Sequence, residues 1–164
     1  MDEIVKRAKI PKGTFYLFYE SKEVLLFQAL LRWHDEIQKT VLHRVEESGG
    51  KLDAGGLTEI LMDICAQVDK TGLMQMFSTG ELEALARKLP PQMVAEHLSQ
   101  DEDMVAQLAK FIPSAKGKDI AAYSAAFRGV FLMTLQKTEL GESYEEALRL
   151  LIRGISIQLT GEES

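Results

Sequence analysis

Ile10-Pro11-Lys12-Gly13-Thr14-Phe15-Tyr16-Leu17-Phe18-Tyr19-Glu20-Ser21-Lys22-Glu23-Val24-Leu25 holds one helix break and two helix starts. The ring of Pro11 crowds Ile10 out of the helical region, so a first short helix, about Asp2–Ala8 with Ile4, Val5 and Ala8 on one side, must end before it. Pro11 can open a second short helix to about Tyr19, because at a first turn its missing N–H leaves no bond unmade. Ser21 reads as the N-cap of a third helix, with Glu23 in the first turn where the dipole favours an anion. Leu25, Leu30, Leu31, Ile37, Val41, Leu42 and Val45 then carry a helical apolar series to about Glu47, and Ser48-Gly49-Gly50 stops it. About 25 residues at 1.5 Å each give roughly 38 Å. Two short helices across a three-residue turn have the spacing of a helix-turn-helix, and the long helix suits a link from a small head to a larger body.

Outward from this stretch the pattern stays helical, without the alternating β-branched runs of strands. After a loop holding Asp53 and Gly55-Gly56, a helix is expected over about Leu57–Lys70, broken by Thr71-Gly72. Leu73–Ser78 is rich in Met and Phe; further helices follow at about Gly80–Leu89 and Gln92–Phe111, the latter with a bend expected near Ser99–Asp101. Two final helices, about Lys118–Lys137 and Ser143–Leu159, flank Glu139-Leu140-Gly141. Both are apolar around more than one stripe and carry interior glycines, Gly129 and Gly154, of the kind retained where helices approach closely. Such helices are either central to the body or the contact between two copies about a two-fold axis.

Composition bounds the function. At 164 residues with 46% apolar content, the chain can bury a sizeable core. No window matches a membrane span, the N-terminus has no apolar signal core, and the single Cys65 fits a reducing, cytoplasmic setting. The net charge of -6 is unevenly spread: residues 1–22 hold five basic and three acidic side chains, a net of +2, and the remainder 14 and 22, a net of -8. An acidic body repels a phosphate backbone, so a nucleic-acid surface must lie in the N-terminal section.

The segment from Ile10 to Leu25 resembles the recognition-helix signature of the TetR family of bacterial regulators: Lys-Gly-Thr, an apolar residue and Tyr, two variable positions, an aromatic residue, then Ser-Lys-Glu and a leucine-rich helix. The resemblance implies an all-α fold, with an incomplete helix-turn-helix head and its connecting helix over 1–46 and a ligand-binding and dimerisation body over 47–164. It places Lys12, Gly13, Thr14, Tyr16 and Phe18 on the DNA-facing side, with Lys22 on phosphate at the start of the long helix. Phe15 and Leu25 match core positions. Two features depart from the family. Phe18 and Tyr19 exchange the usual characters of their positions, putting a ring toward DNA and a hydroxyl toward the core. The chain also starts inside the family's second helix, which implies weakened operator binding.

The implied function is transcriptional regulation, as repression relieved by a small, mainly apolar effector. Leu61, Cys65, Met74, Met76, Phe77, Tyr123 and Phe127 are the candidate pocket residues, Met for its adaptable shape and Tyr123 for its hydroxyl. A homodimer is expected through Phe127, Val130, Phe131, Leu148, Leu151 and Ile155. The alternative is a ligand-binding or protein-interaction dimer with weak or lost DNA binding. His34, His43 and His97 show no metal-ligand spacing, and Asp101-Glu102-Asp103 reads as a solvated turn. With no phosphate loop, zinc motif or nucleophile elbow, neither an enzyme nor a metal or cofactor is expected.

Overall fold

The computed structural model describes residues 1–49, 52–71 and 79–161, and among them all regular structure is helical. Helix α1 (Asp2–Ala8) ends at Lys9, which takes the left-handed conformation (φ 55°, ψ 38°); the Lys9 N–H donates to the Lys6 carbonyl and the Ile10 N–H to that of Val5. The chain turns there because the peptide before Pro11 cannot stay helical. Helix α2 spans Lys12–Phe18, with Pro11 just outside it as the extended N-cap residue. Helix α3 (Lys22–Glu47) starts at Ser21, whose hydroxyl accepts from the Val24 amide at 3.1 Å. Its 26 residues give a rod of about 39 Å.

Helix α4 (Ala54–Thr71) begins earlier than the apolar periodicity indicates. Asp53 accepts from the Gly56 amide at 2.6 Å, so it caps the helix and draws the glycines into its first turn. A Cβ on Gly56 would stand 3.2 Å from that carboxylate oxygen, so the missing side chain keeps the cap open. Helices α5 (Thr79–Lys88) and α6 (Pro91–Ala109) follow, and α6 runs without a break through Ser99–Asp101. After a 3-10 turn at Pro113–Ala115, Asp119 caps α7 (Ile120–Met133) by accepting from Ala122 at 3.1 Å. A second 3-10 turn and the short α8 (Lys137–Leu140) lead to α9 (Tyr144–Thr160).

Helix α4 packs most extensively on α9. One cluster joins Val41 and Val45 of α3 to Leu57, Ile64 and Val68 of α4, Leu108 of α6 and Leu159 of α9. A second gathers Met62 and Cys65 of α4 with Val130 of α7 and Tyr144, Leu148 and Ile152 of α9. Each large apolar side chain removed from water in this way contributes about 1.5–3 kcal/mol. A third cluster, Val24, Leu85 and Leu89 with Phe27 and Leu30 against it, ties the first half of α3 to α5 and α6. At the end of α9, Lys118 donates to the Gln158 carbonyl and Ser114 to that of Thr160, placing a cation at the helix's negative pole. Among the described residues no helix is long and apolar enough to cross a membrane.

Candidate functional site

Between α3, α4, α6, α7 and α9 lies a cavity of about 160 Å³. Most of its wall is apolar: Ile37 and Val41 of α3, Leu61, Ile64 and Cys65 of α4, Met104 and Val105 of α6, Phe127, Val130 and Phe131 of α7, and Ile152 of α9. Burial, with the charge of Asp69 behind it, pushes the Cys65 thiol up to about 12. It is therefore a neutral piece of wall and not a nucleophile.

One corner is polar. His34 from α3, His97 and Asp101 from α6, and Ser124 and Arg128 from α7 converge there. His34 Nε2 lies 3.3 Å from Asp101 Oδ1, and His97 Nδ1 lies 3.8 Å from the same oxygen. The Arg128 guanidinium stands 3.6 Å from the other carboxylate oxygen and reaches the Ser124 hydroxyl at 3.5 Å. The two imidazoles meet edge to face with ring centres 5.0 Å apart, and Phe27 closes the far side of His97. Gln38 holds the opposite edge of His34, its amide nitrogen 3.4 Å from Nδ1. Burial holds the His34 pKa below the usual histidine range, outweighing Asp101, so the ring is neutral.

The corner is incompletely satisfied. Asp101 Oδ1, His97 Nδ1 and Arg128 Nε are shielded from water, yet none has a hydrogen-bond partner. The approaches of His97 and Arg128 to Asp101, at 3.8 and 3.6 Å, are within ion-pair reach but too long for hydrogen bonds, and that of His34 at 3.3 Å lacks the direction of one. The Asp101 side chain is only 12% exposed, which corrects its reading as part of a solvated turn. The helix stays continuous there and rotates Asp101 inward, while Glu102 and Asp103 face solvent. The i, i+4 spacing of His97 and Asp101, repeated by Ser124 and Arg128, was the available sequence signal: it stacks both pairs on single helix faces.

Leu61, Cys65 and Phe127 stand in the cavity wall. Tyr123 does not; it lines a shallow recess with Ala126, Gly154 and Ile155. Met74, Met76 and Phe77 lie outside the described residues. Of the residues expected between two copies, Val130 and Leu148 are core, and Phe127 and Phe131 belong to the cavity wall, Phe131 with its ring 6.1 Å from Trp33. Leu151, 49% exposed, and half-buried Ile155 remain at the surface.

In the N-terminal section Lys12, Gly13, Tyr16 and Phe18 are exposed, Thr14 is half-buried, and Lys22 is exposed in the first turn of α3. Phe15 is buried at 2%, and the half-buried Tyr19 ring packs on it at 5.4 Å. Lys12 is held by Asp2 at 2.9 Å. No protein-family model, curated protein or solved structure matches the chain.

Proposed function

We propose that this chain is a TetR-type regulator that binds double-stranded operator DNA as a homodimer and answers to a small molecule held among its helices. The observation that carries the reading is the segment from Lys12 to Lys22. Its signature residues Lys12, Gly13 and Tyr16 lie exposed on one short helix, and Lys22 opens the next. Phosphate contacts by Lys12 and Lys22 position the head; Thr14, Tyr16 and Phe18 face the groove. Helix α3 links that head to the cavity, because one rod carries Lys22 at its start and His34, Ile37 and Val41 in the cavity wall. A ligand that moves the wall therefore moves the head.

The surface available to a second copy is the outer side of α7 to α9. Leu132, Leu140, Leu150 and Leu151 are exposed there, and Met133 and Ala147 join the last three in a shallow apolar groove. A Cβ on Gly129 or Gly154 would meet nothing within 4 Å, so neither glycine serves a close approach inside one chain. Both sit exposed on α7 and α9, where they favour close approach of a partner helix.

The test is a fluorescence titration with duplex DNA from the region upstream of the coding sequence, at several salt concentrations. Lys12→Ala and Lys22→Ala should weaken binding and reduce the log–log salt slope by about 0.9 for each phosphate no longer neutralised. Unchanged affinity and slope in both variants would defeat the reading. The second reading, a ligand-binding dimer without DNA affinity, gains support from the Asp2–Lys12 pair, which occupies one of the phosphate-facing cations.

A further inference from the structure

We propose that His34, His97 and Asp101 form a binding site for a divalent first-row transition-metal ion, with the remaining coordination positions opening into the cavity. One ligating atom from each residue lies within 4.8 Å of the other two. Two of the separations are 3.3 and 3.8 Å. Ligands of a tetrahedral ion with bonds of about 2.0–2.1 Å stand about 3.3–3.4 Å apart; His34 and Asp101 already meet this spacing, and His97 must move inward to complete the set. Two imidazole nitrogens and one carboxylate oxygen suit zinc, cobalt, nickel or iron(II), and not magnesium or calcium, which take oxygen donors.

The unsatisfied atoms point the same way. A buried carboxylate oxygen and a buried imidazole nitrogen without hydrogen bonds are costly in a closed fold. Asp101 Oδ1 and His97 Nδ1 are such atoms, and both belong to the cluster. A cation between them would turn two deficits into bonds. The surroundings also supply the outer contacts of a metal centre. Arg128 lies beside Asp101 Oδ2, leaving Oδ1 to ligate. For His34 to ligate through Nε2 its Nδ1 must carry the proton, so the Gln38 amide, whose nitrogen stands 3.4 Å from Nδ1, has to turn its oxygen there to accept it.

Three protein ligands leave at least one position open. His34, His97, Asp101 and Arg128 line the same cavity as the apolar residues. The site therefore takes a ligand with an apolar body and an anionic donor such as a carboxylate, which binds the metal beside the Arg128 guanidinium. This last step rests on the cavity being the effector site; metal binding itself does not.

The experiment uses the full chain, untagged and stripped with chelator, without DNA. Calorimetry with Zn2+ should give one ion per chain, and Co2+ should develop visible ligand-field absorption of low-symmetry coordination. Since outer contacts alone are worth about 10–100-fold in metal affinity, His34→Ala and His97→Ala should each lose at least about 100-fold. Glu102→Gln and Asp103→Asn, exposed neighbours on α6, should lose nothing. Circular dichroism reports whether the variants fold, and if they do not, titration of the unmodified chain decides alone. Absent stoichiometric Zn2+ or Co2+ binding, or Mg2+ bound as well as Zn2+, the metal site is overturned. Hexanoate should then shift the Co2+ spectrum and hexanol should not; no shift with hexanoate overturns the open position. DNA affinity enters neither measurement, so failure here and failure of the regulator reading are separate results.

Discussion

Cys65 shows how a residue's chemistry follows from its walls. The thiol is 5% exposed in apolar surroundings, and with a pKa of about 12 only about one in ten thousand is ionised at pH 8. A thiol-specific reagent should leave the folded chain unmodified over a time in which the urea-unfolded chain reacts at one thiol. Fast labelling of native protein would contradict this burial. The sign for stability is also set. The folded state keeps a proton that the unfolded thiol releases above about pH 8.5, so stability falls as the pH rises from there toward 12. Cys65→Ala should remove that part of the alkaline decline in urea midpoint. Asp2 and Lys12 form an exposed pair, which holds a lysine that the proposed regulator would place on phosphate. Asp2→Asn should therefore tighten DNA binding more than Glu20→Gln, an equal change in charge. Equal effects would reduce the pair to ordinary net charge.

Helix α3 runs from Lys22 to the cavity wall, and its start depends on Ser21. Replacing Ser21 by Ala should cost about 1 kcal/mol, and by Gly only a few tenths, read from urea unfolding. Equal losses would mean that the hydroxyl does not cap. At the other end of the fold Gly161 closes α9 at φ 71°, and a Cβ there would stand 3.2 Å from the Ser114 Cβ. Gly161→Ala should destabilise by about 1 kcal/mol through the left-handed conformation alone. These element ends are unevenly legible in the sequence. Ser21 lies directly before an apolar helical run, so cap and period agree. Asp53 is harder to read as a cap, because two glycines follow it closely and the apolar series starts only at Leu57. The bend expected near Ser99–Asp101 does not occur, because α6 keeps its rotation and turns Asp101 inward to His34 and Arg128.

For the whole molecule, the structure redistributes the apolar side chains of α7 and α9. Phe131 packs with Trp33 at the cavity, so Phe131→Asp would unfold a single chain and say nothing about a partner. Leu150 and Leu151, 63% and 49% exposed, test association cleanly. Light scattering should give twice 18.4 kDa for the unmodified chain, and Leu150→Asp with Leu151→Asp should halve it without loss of helical signal. Gly129→Leu and Gly154→Leu sharpen the test. In one chain both gain up to about 1 kcal/mol of helix propensity, since open space surrounds them. Between two copies they obstruct close approach. A variant that unfolds at higher urea yet runs as a monomer would locate the interface; one that stays dimeric would move it elsewhere.

The sequence alone determined that the chain is helical, where α1 breaks and where α3 starts. Those features depend on contacts within about one helical turn: proline sterics, caps, and apolar periodicity. Of the seven side chains it offered for a pocket, Leu61, Cys65 and Phe127 line the cavity, Tyr123 lines a separate recess, and Met74, Met76 and Phe77 lie outside the described residues. Only the tertiary structure decided which apolar faces stay outside, and that the cavity has a polar corner. His34 and His97 stand more than sixty residues apart in the chain. Their meeting depends on how α3 crosses α6, which is set by the packing of Phe27, Leu30 and Val41 on neighbouring helices. Spacing along one helix could show that His97 and Asp101 share a face; only the crossing brings His34 to 3.3 Å from that carboxylate.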